Sequence, residues 1–303
     1  MLESFLAAGL LLAAPILLAA LGELLVERAG VLNIGVEGMM LTGAFVAAVV
    51  ADSSGSAGVG AVAGALGGAA AAALFAWAAL VVGTDQIIVG AAINLLALGG
   101  TGAVYRAWYG TTGAALVLPT LPGVPIPGVA TIPILGPVLA SQNVLVWFAL
   151  ALVPALAFLF RRTGLGLRLR AMGDHPQAAS SLGYRVRDYK IAAVVTAGVL
   201  AGLAGSTLTL AATNTFVEGV TAGRGFVALA VVVFGRWSPW GVLFGAMTFG
   251  LVSALQFQLQ AAAVAVPHQL ALMLPYLVTL LFLVVFPGSG SAPRALGAAD
   301  EGR

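Results

Sequence analysis

The chain has 303 residues, of which 61% are hydrophobic and only 8% charged, whereas soluble domains carry about 25% charged residues, so a water-facing surface cannot be built from it. The net charge of +2 is gathered mostly in one loop rather than spread over a face, which excludes nucleic-acid binding. Cysteine is absent and the two histidines, His175 and His268, lie far apart, so no catalytic residue, metal site or cofactor site is assigned to this chain.

What remains is an all-α, polytopic transmembrane helix bundle with about 8–10 membrane segments, because about 20 apolar residues are needed to cross the hydrocarbon core. Continuous hydropathy places apolar segments near 4–22, 31–50, 58–83, 87–105, 143–160, 191–211, 225–235, 241–258 and 269–286. The first contains Glu3 and lacks a basic leader, so it reads as a membrane helix rather than a signal peptide. Gly60, Gly64 and Gly68, Gly198 and Gly202, and Gly241 and Gly245 recur at four-residue spacing, which suits close helix packing. Asp85 and Gln86 form a short turn suited to capping the following helix. Between the fourth and fifth segments, 106–142 carries six prolines and is expected to be an external loop. The segment 225–235 would reach only about 16 Å as a helix, so it is short, broken or re-entrant, with a full crossing preferred. Residues 1–286 are thus one membrane domain, and 287–303 a small, polar tail expected to be disordered.

Seven of the thirteen basic residues fall in 161–190, which makes that loop cytoplasmic by the positive-inside rule. Counting crossings back puts the Pro-rich loop outside, Arg28 inside and the N-terminus outside. Within the cytoplasmic loop, Asp174, His175 and Pro176 open a short helix that Gly183 is placed to end. Ala178, Ala179 and Leu182 are spaced to share one face of it. In the apolar segments the polar residues stand out. Glu37 and Asn33 lie between glycines at membrane depth, which marks either a pathway in a broken helix or, for Glu37, an ion pair with Arg28 or another arginine. Asn94, in the fourth segment, and Asn214, Thr215, Phe216 and Glu218, just past the sixth, could meet a neutral hydrogen-bonding solute or bond between helices. No phosphate-binding loop of the form GxxxxGK[ST] is present, so any ATPase that drives transport is a separate polypeptide.

The run Gln177-Ala178-Ala179 followed by Gly183 resembles the EAA-xxx-G coupling helix of ABC-importer membrane subunits, with Gln177 in place of the acid. The string from Arg161 to Pro176 is similar to the corresponding loop of the branched-chain amino acid, ribose and nucleoside permease superfamily. The run from Gly22-Glu23 through Glu27-Arg28-Ala29-Gly30 to Asn33-Ile34-Gly35-Val36-Glu37-Gly38-Met39-Met40, with Gly223-Arg224-Gly225-Phe226 downstream, resembles its nucleoside, or simple sugar, branch. That resemblance implies a permease subunit of an ATP-driven importer in the inner membrane of a prokaryote. It implies ATP and magnesium on a cytoplasmic ATPase, a second and related permease, an external substrate-binding lipoprotein, and contact with membrane lipid. Pro176, Gln177, Ala178, Ala179, Leu182 and Gly183 would then couple to the ATPase, and Asn33, Glu37, Asn94, Asn214 and Phe216 would line the substrate pathway. A simple sugar or a branched-chain amino acid is the alternative solute, and an ion-coupled carrier using Glu37 and Glu23 is the alternative mechanism.

Overall fold

Lipid offers no hydrogen bonds to the backbone, so an apolar chain that crosses it satisfies its own peptide groups as helices or a closed barrel. The computed structural model, which describes residues 2–110, 116–124, 135–261, 273–274, 277–278, 281 and 292–298, takes the helical solution. Its elements are α1 (Leu2–Arg28), α2 (Val36–Ser54), α3 (Ala57–Ala76), α4 (Gln86–Tyr109), α5 (Leu135–Ala140) and α6 (Val144–Arg162). There follow α7 (Gly164–Asp174), α8 (Pro176–Ser181), α9 (Val186–Thr207), α10 (Arg224–Phe234) and α11 (Pro239–Ala261). Wider π turns extend α3 over Trp77–Val81 and α9 over Leu208–Ala212. Among the described residues, seven helices are long and apolar enough to cross a membrane, namely α1, α2, α3, α4, α6, α9 and α11, and α10 is a shorter apolar helix. The expected segment 269–286 and His268 lie largely or wholly outside the described residues.

Helix α1 runs through the middle of the bundle, with Leu17, Leu18, Leu21 and Leu24 fully buried against α9, α10 and α11. Beside it, α2, α3 and α9 meet backbone to backbone. A Cβ on Gly202 would lie 2.2 Å from the Gly64 carbonyl oxygen, one on Gly68 2.2 Å from that of Gly198, and one on Gly43 2.4 Å from Gly202 Cα. The glycine pattern seen in the sequence is therefore a packing pattern, since bilayer helices associate through close van der Waals contact rather than through exclusion of water. Gly241 sits likewise against the Gly235 carbonyl oxygen at 2.2 Å. Asp85 caps α4 as expected, its Oδ1 accepting from the Ile87 and Ile88 N–H groups.

Two departures from the linear reading matter for the site. The apolar segment near 31–50 does not begin as a helix; residues 29–35 are irregular and α2 starts at Val36. The second concerns α10. Its 11 residues cover about half a bilayer, yet the chain between Asn214 and Trp237 passes from one end of the bundle to the other. The Asn214 carbonyl accepts from Leu118 N–H in the Pro-rich loop at one end, whereas the Trp237 carbonyl accepts from Arg28 at the opposite end, beside the basic loop 161–190. Irregular chain makes the half of the crossing nearer the Pro-rich loop and α10 the half nearer the basic loop. Residues 292–298, inside the stretch expected to be a disordered tail, form a turn bonded to that same end beside the basic loop, Ala295 N–H to the Gly173 carbonyl at 2.8 Å and Gly297 N–H to that of Gly30 at 3.2 Å.

Candidate functional site

The irregular segment after α1 folds back along the helix it has just left. Gly30 makes the turn with φ +85°, and Asn33 reaches the level of Glu23. Asn33 is fully buried, its N–H and Nδ2 donating to the two Glu23 carboxylate oxygens at 3.2 and 3.1 Å, while its Oδ1 accepts from Gly35 N–H at 3.1 Å. Each polar atom of the amide is thereby engaged in holding the break. From the opposite side Asn94 of α4 clamps the same segment, accepting from Gly38 N–H at 2.7 Å and donating to the Ile34 carbonyl at 3.0 Å. Gln86 contributes a third tie, its Oε1 accepting from Leu32 N–H at 2.8 Å. Backbone groups freed by a broken helix must find partners in lipid, and these side chains supply them.

This segment presents Glu37 to the start of α10. Its Oε1 accepts from the Thr221 hydroxyl at 2.6 Å and from Gly223 N–H at 2.9 Å, and its Oε2 accepts from Gly225 N–H at 2.6 Å. A carboxylate at a helix N-terminus meets unpaired N–H groups and the positive end of the dipole, and these groups compensate the half-buried side chain. A Cβ on Gly225 would lie 2.6 Å from Glu37 Cα, so only glycine permits this approach. The pairing of Glu37 with Arg28 raised by the sequence is not what the structure shows. Arg28 donates instead to the Trp237 carbonyl through Nε at 3.1 Å and Nη2 at 2.7 Å, and the Trp237 indole N–H donates to the buried Glu27. Arg236 and Trp237, with φ of 54° and 51°, are consecutive non-glycine residues in the left-handed region at the α10–α11 turn. That strain is held in place by these bonds.

At the end near the Pro-rich loop, Phe216 is buried rather than lining open space. It packs edge-on against Phe45, with ring centroids 5.3 Å apart, and against Tyr105 at 5.1 Å. Trp108 extends this ring group and is 66% exposed. Asn214 is exposed and adopts φ 55°, and Glu218 pairs with Arg106 at 2.5 Å. Asn214 and Phe216 therefore lie at the end of the bundle near the Pro-rich loop, and Asn33, Glu37 and Asn94 form a separate cluster deeper in the bundle.

In the basic loop 161–190, Pro176 occupies the first turn of α8 and Gly183 follows its end with φ +84°. Ala178, Ala179 and Leu182 are not equally covered. Ala179 is buried, while Gln177, Ala178 and Leu182 point outward, Leu182 at 78% exposure. The loop is fastened to the membrane domain through α7: a Cβ on Gly173 would lie 2.4 Å from the Arg28 carbonyl oxygen and 3.1 Å from Gly30 N. Arg168 donates to the Tyr189 hydroxyl at 3.2 Å and lies over the Tyr184 ring, tying α7 to α9.

Sequence reasoning missed Thr221, Gly225, Trp237, Glu27 and Gln86 as parts of these networks. The Gly-Arg-Gly run at 223–225 was the available signal, because it combines a turn residue with a helix start.

The family model described as branched-chain amino acid transport system / permease component matches residues 5–283. The chain is 37% identical to the guanosine ABC transporter permease protein NupQ of Bacillus subtilis, covering 96% of this chain and 94% of that one. It is 32% identical to the nucleoside ABC transporter permease protein NupC of Lactococcus lactis, covering 95% and 93%. It is also 38% identical to the putative glucose ABC transporter permease protein TsgC13 of Haloferax volcanii, covering 84% and 77%. No solved structure matches.

Proposed function

The chain belongs to the branched-chain amino acid transport system / permease component family, and from that premise we propose that this multi-pass subunit of an ABC importer passes nucleosides into the cell. The names of two relatives that align along nearly its whole length support a nucleoside over a sugar or an amino acid. ATP and magnesium would be bound and turned over on a separate cytoplasmic subunit. A second, related permease would cover apolar faces such as that of Leu95, Leu96 and Leu98 on α4, and an external lipoprotein would deliver the solute.

The observation that carries the mechanism is a continuous packed route from the exposed face of α8 to Glu37. ATPase closure would push on Gln177, Ala178 and Leu182, with Ala179 and Pro176 seating α8 on its neighbours and Gly183 allowing the reversal after it. Through Gly173 the push reaches Arg28 and Gly30, and through the break at 29–35 it reaches Glu37 and the α10 N-terminus. A half-helix held by one carboxylate is an element that two packings can share. Asn94, Glu37 and Asn214 supply hydrogen-bonding groups along the path, the Phe216 ring group backs its outer mouth, and Asn33 holds the break from behind.

The test is uptake of labelled guanosine, uridine and glucose into vesicles holding the chain with its partner subunits, under ATP and under imposed proton or sodium gradients. Nucleoside uptake that requires ATP and the ATPase, and that falls when Gly183→Val strains the left-handed turn, is expected. Gradient-driven uptake by the chain alone would overturn the proposal, and ATP-driven uptake of glucose in preference to nucleosides would overturn the substrate.

A further inference from the structure

At the cytoplasmic end, a cleft of about 130 Å³ opens between α1, α6, α7 and the α10–α11 turn, room for a phosphate group. Arg28, Arg161 and Arg170 stand around it, Ala157 and Phe160 form an apolar floor, and Trp237, Ser238 and Pro239 close the far side. Three guanidinium groups on one small cleft repel one another, and among the described residues little offsets them. Glu27 is engaged by the Trp237 indole, and Asp174 is the acidic neighbour of Arg28 but lies outside ion-pair distance of it. Neither Arg161 nor Arg170 has an ion pair among the described residues, and the Arg170 Nε is buried with no hydrogen-bond acceptor. Arg28 commits Nε and Nη2 to the Trp237 carbonyl, which leaves Nη1 for a ligand.

We propose that this cleft binds the phosphate of an anionic membrane lipid. Guanidinium forks match phosphate oxygens in pairs, and basic pockets between membrane helices on the cytoplasmic side suit lipid headgroups. The choice of a lipid over a soluble phosphate rests on position. The last turn of α6 supplies Arg161 beside outward-facing Phe158, and α11 begins with Pro239 next to outward-facing Trp240, so the cleft adjoins the apolar outer surface where acyl chains would lie. A bound headgroup would bridge α7 of the cytoplasmic loop to the strained Arg236–Trp237 turn, joining the two elements that must move together during transport.

The test uses the full-length chain, with whatever subunits co-purify, in detergent, and measures retained phosphatidylglycerol, phosphatidylcholine and inorganic phosphate by native mass spectrometry. Phosphatidylglycerol is expected to bind in preference to phosphatidylcholine. Each arginine removed should weaken it about fivefold, so Arg161→Gln/Arg170→Gln should weaken it about 25-fold. Arg161→Lys/Arg170→Lys, which keeps the charge, should recover part of that loss, and an unchanged thermal midpoint shows that the glutamine variant is folded. Equal phosphatidylglycerol retention by wild type and the folded glutamine variant would overturn the site. Displacement of the lipid by millimolar inorganic phosphate would overturn the lipid as its source while keeping phosphate as the ligand chemistry.

Discussion

Replacing Glu37 by glutamine isolates the bond set that holds α10. The carboxylate accepts three hydrogen bonds, two at Oε1 from the Thr221 hydroxyl and Gly223 N–H, and one at Oε2 from Gly225 N–H. An amide has one acceptor oxygen, so whichever way it turns, its NH₂ group faces a backbone N–H and leaves that donor without a partner. An unsatisfied buried donor costs about 1–3 kcal/mol, and losing a negative charge at a helix N-terminus adds about 0.3–2 kcal/mol. The central expectation is a loss of about 3 kcal/mol. At about 2–4 °C per kcal/mol for a chain of this order of size, the midpoint should fall by roughly 6–12 °C. The assay is thermal loss of the monodisperse peak in size-exclusion chromatography of the detergent-solubilised protein. Glu37→Asp, which keeps the charge on a shorter arm, should fall between the two. A glutamine variant that melts with wild type would refute the reasoning, because the carboxylate would then not be what anchors the half-helix.

Gly202→Val should prevent recovery of monodisperse protein, since its Cβ meets a main-chain carbonyl that cannot swing aside, whereas Gly99→Ala, with open space around it, should raise the midpoint slightly by its better helix propensity. Ala178→Glu and Ala179→Glu should separate docking from folding. The exposed site should keep its thermal midpoint while losing ATP-driven uptake, and the buried site should lose stability first, as read by the same two assays. Asn33→Leu should lower the midpoint by the equivalent of about 1–3 kcal/mol by stranding the Glu23 carboxylate, and Glu23→Leu/Asn33→Leu should recover part of it in a double-mutant cycle.

Several features could be read from neighbouring residues alone because the forces behind them act locally. Hydropathy identified the spans, since each peptide group in a membrane helix bonds within its own segment. Asp85 as a cap and Gly183 as a helix terminator also depend only on the adjacent turn. On α8 the spacing of Ala178, Ala179 and Leu182 does not tell which of them is covered, because helical periodicity says which residues align and not which side meets the protein. Asn33 and Phe216 were chosen as pathway residues on chemistry. Their burial came from Glu23 on the preceding helix and from the rings of α2 and α4.

The sequence by itself determined that this is a membrane bundle with one strongly basic loop, closely packed glycine helices and one segment too short to span. Only the tertiary structure decided where the charges go. Glu37 finds Gly225 188 residues away, and Arg28 finds the Trp237 carbonyl 209 residues away. In a low-dielectric interior an ionic group must be matched, and here the matching groups are largely backbone N–H and C=O. Every residue carries those groups, so no residue type in the sequence could announce them.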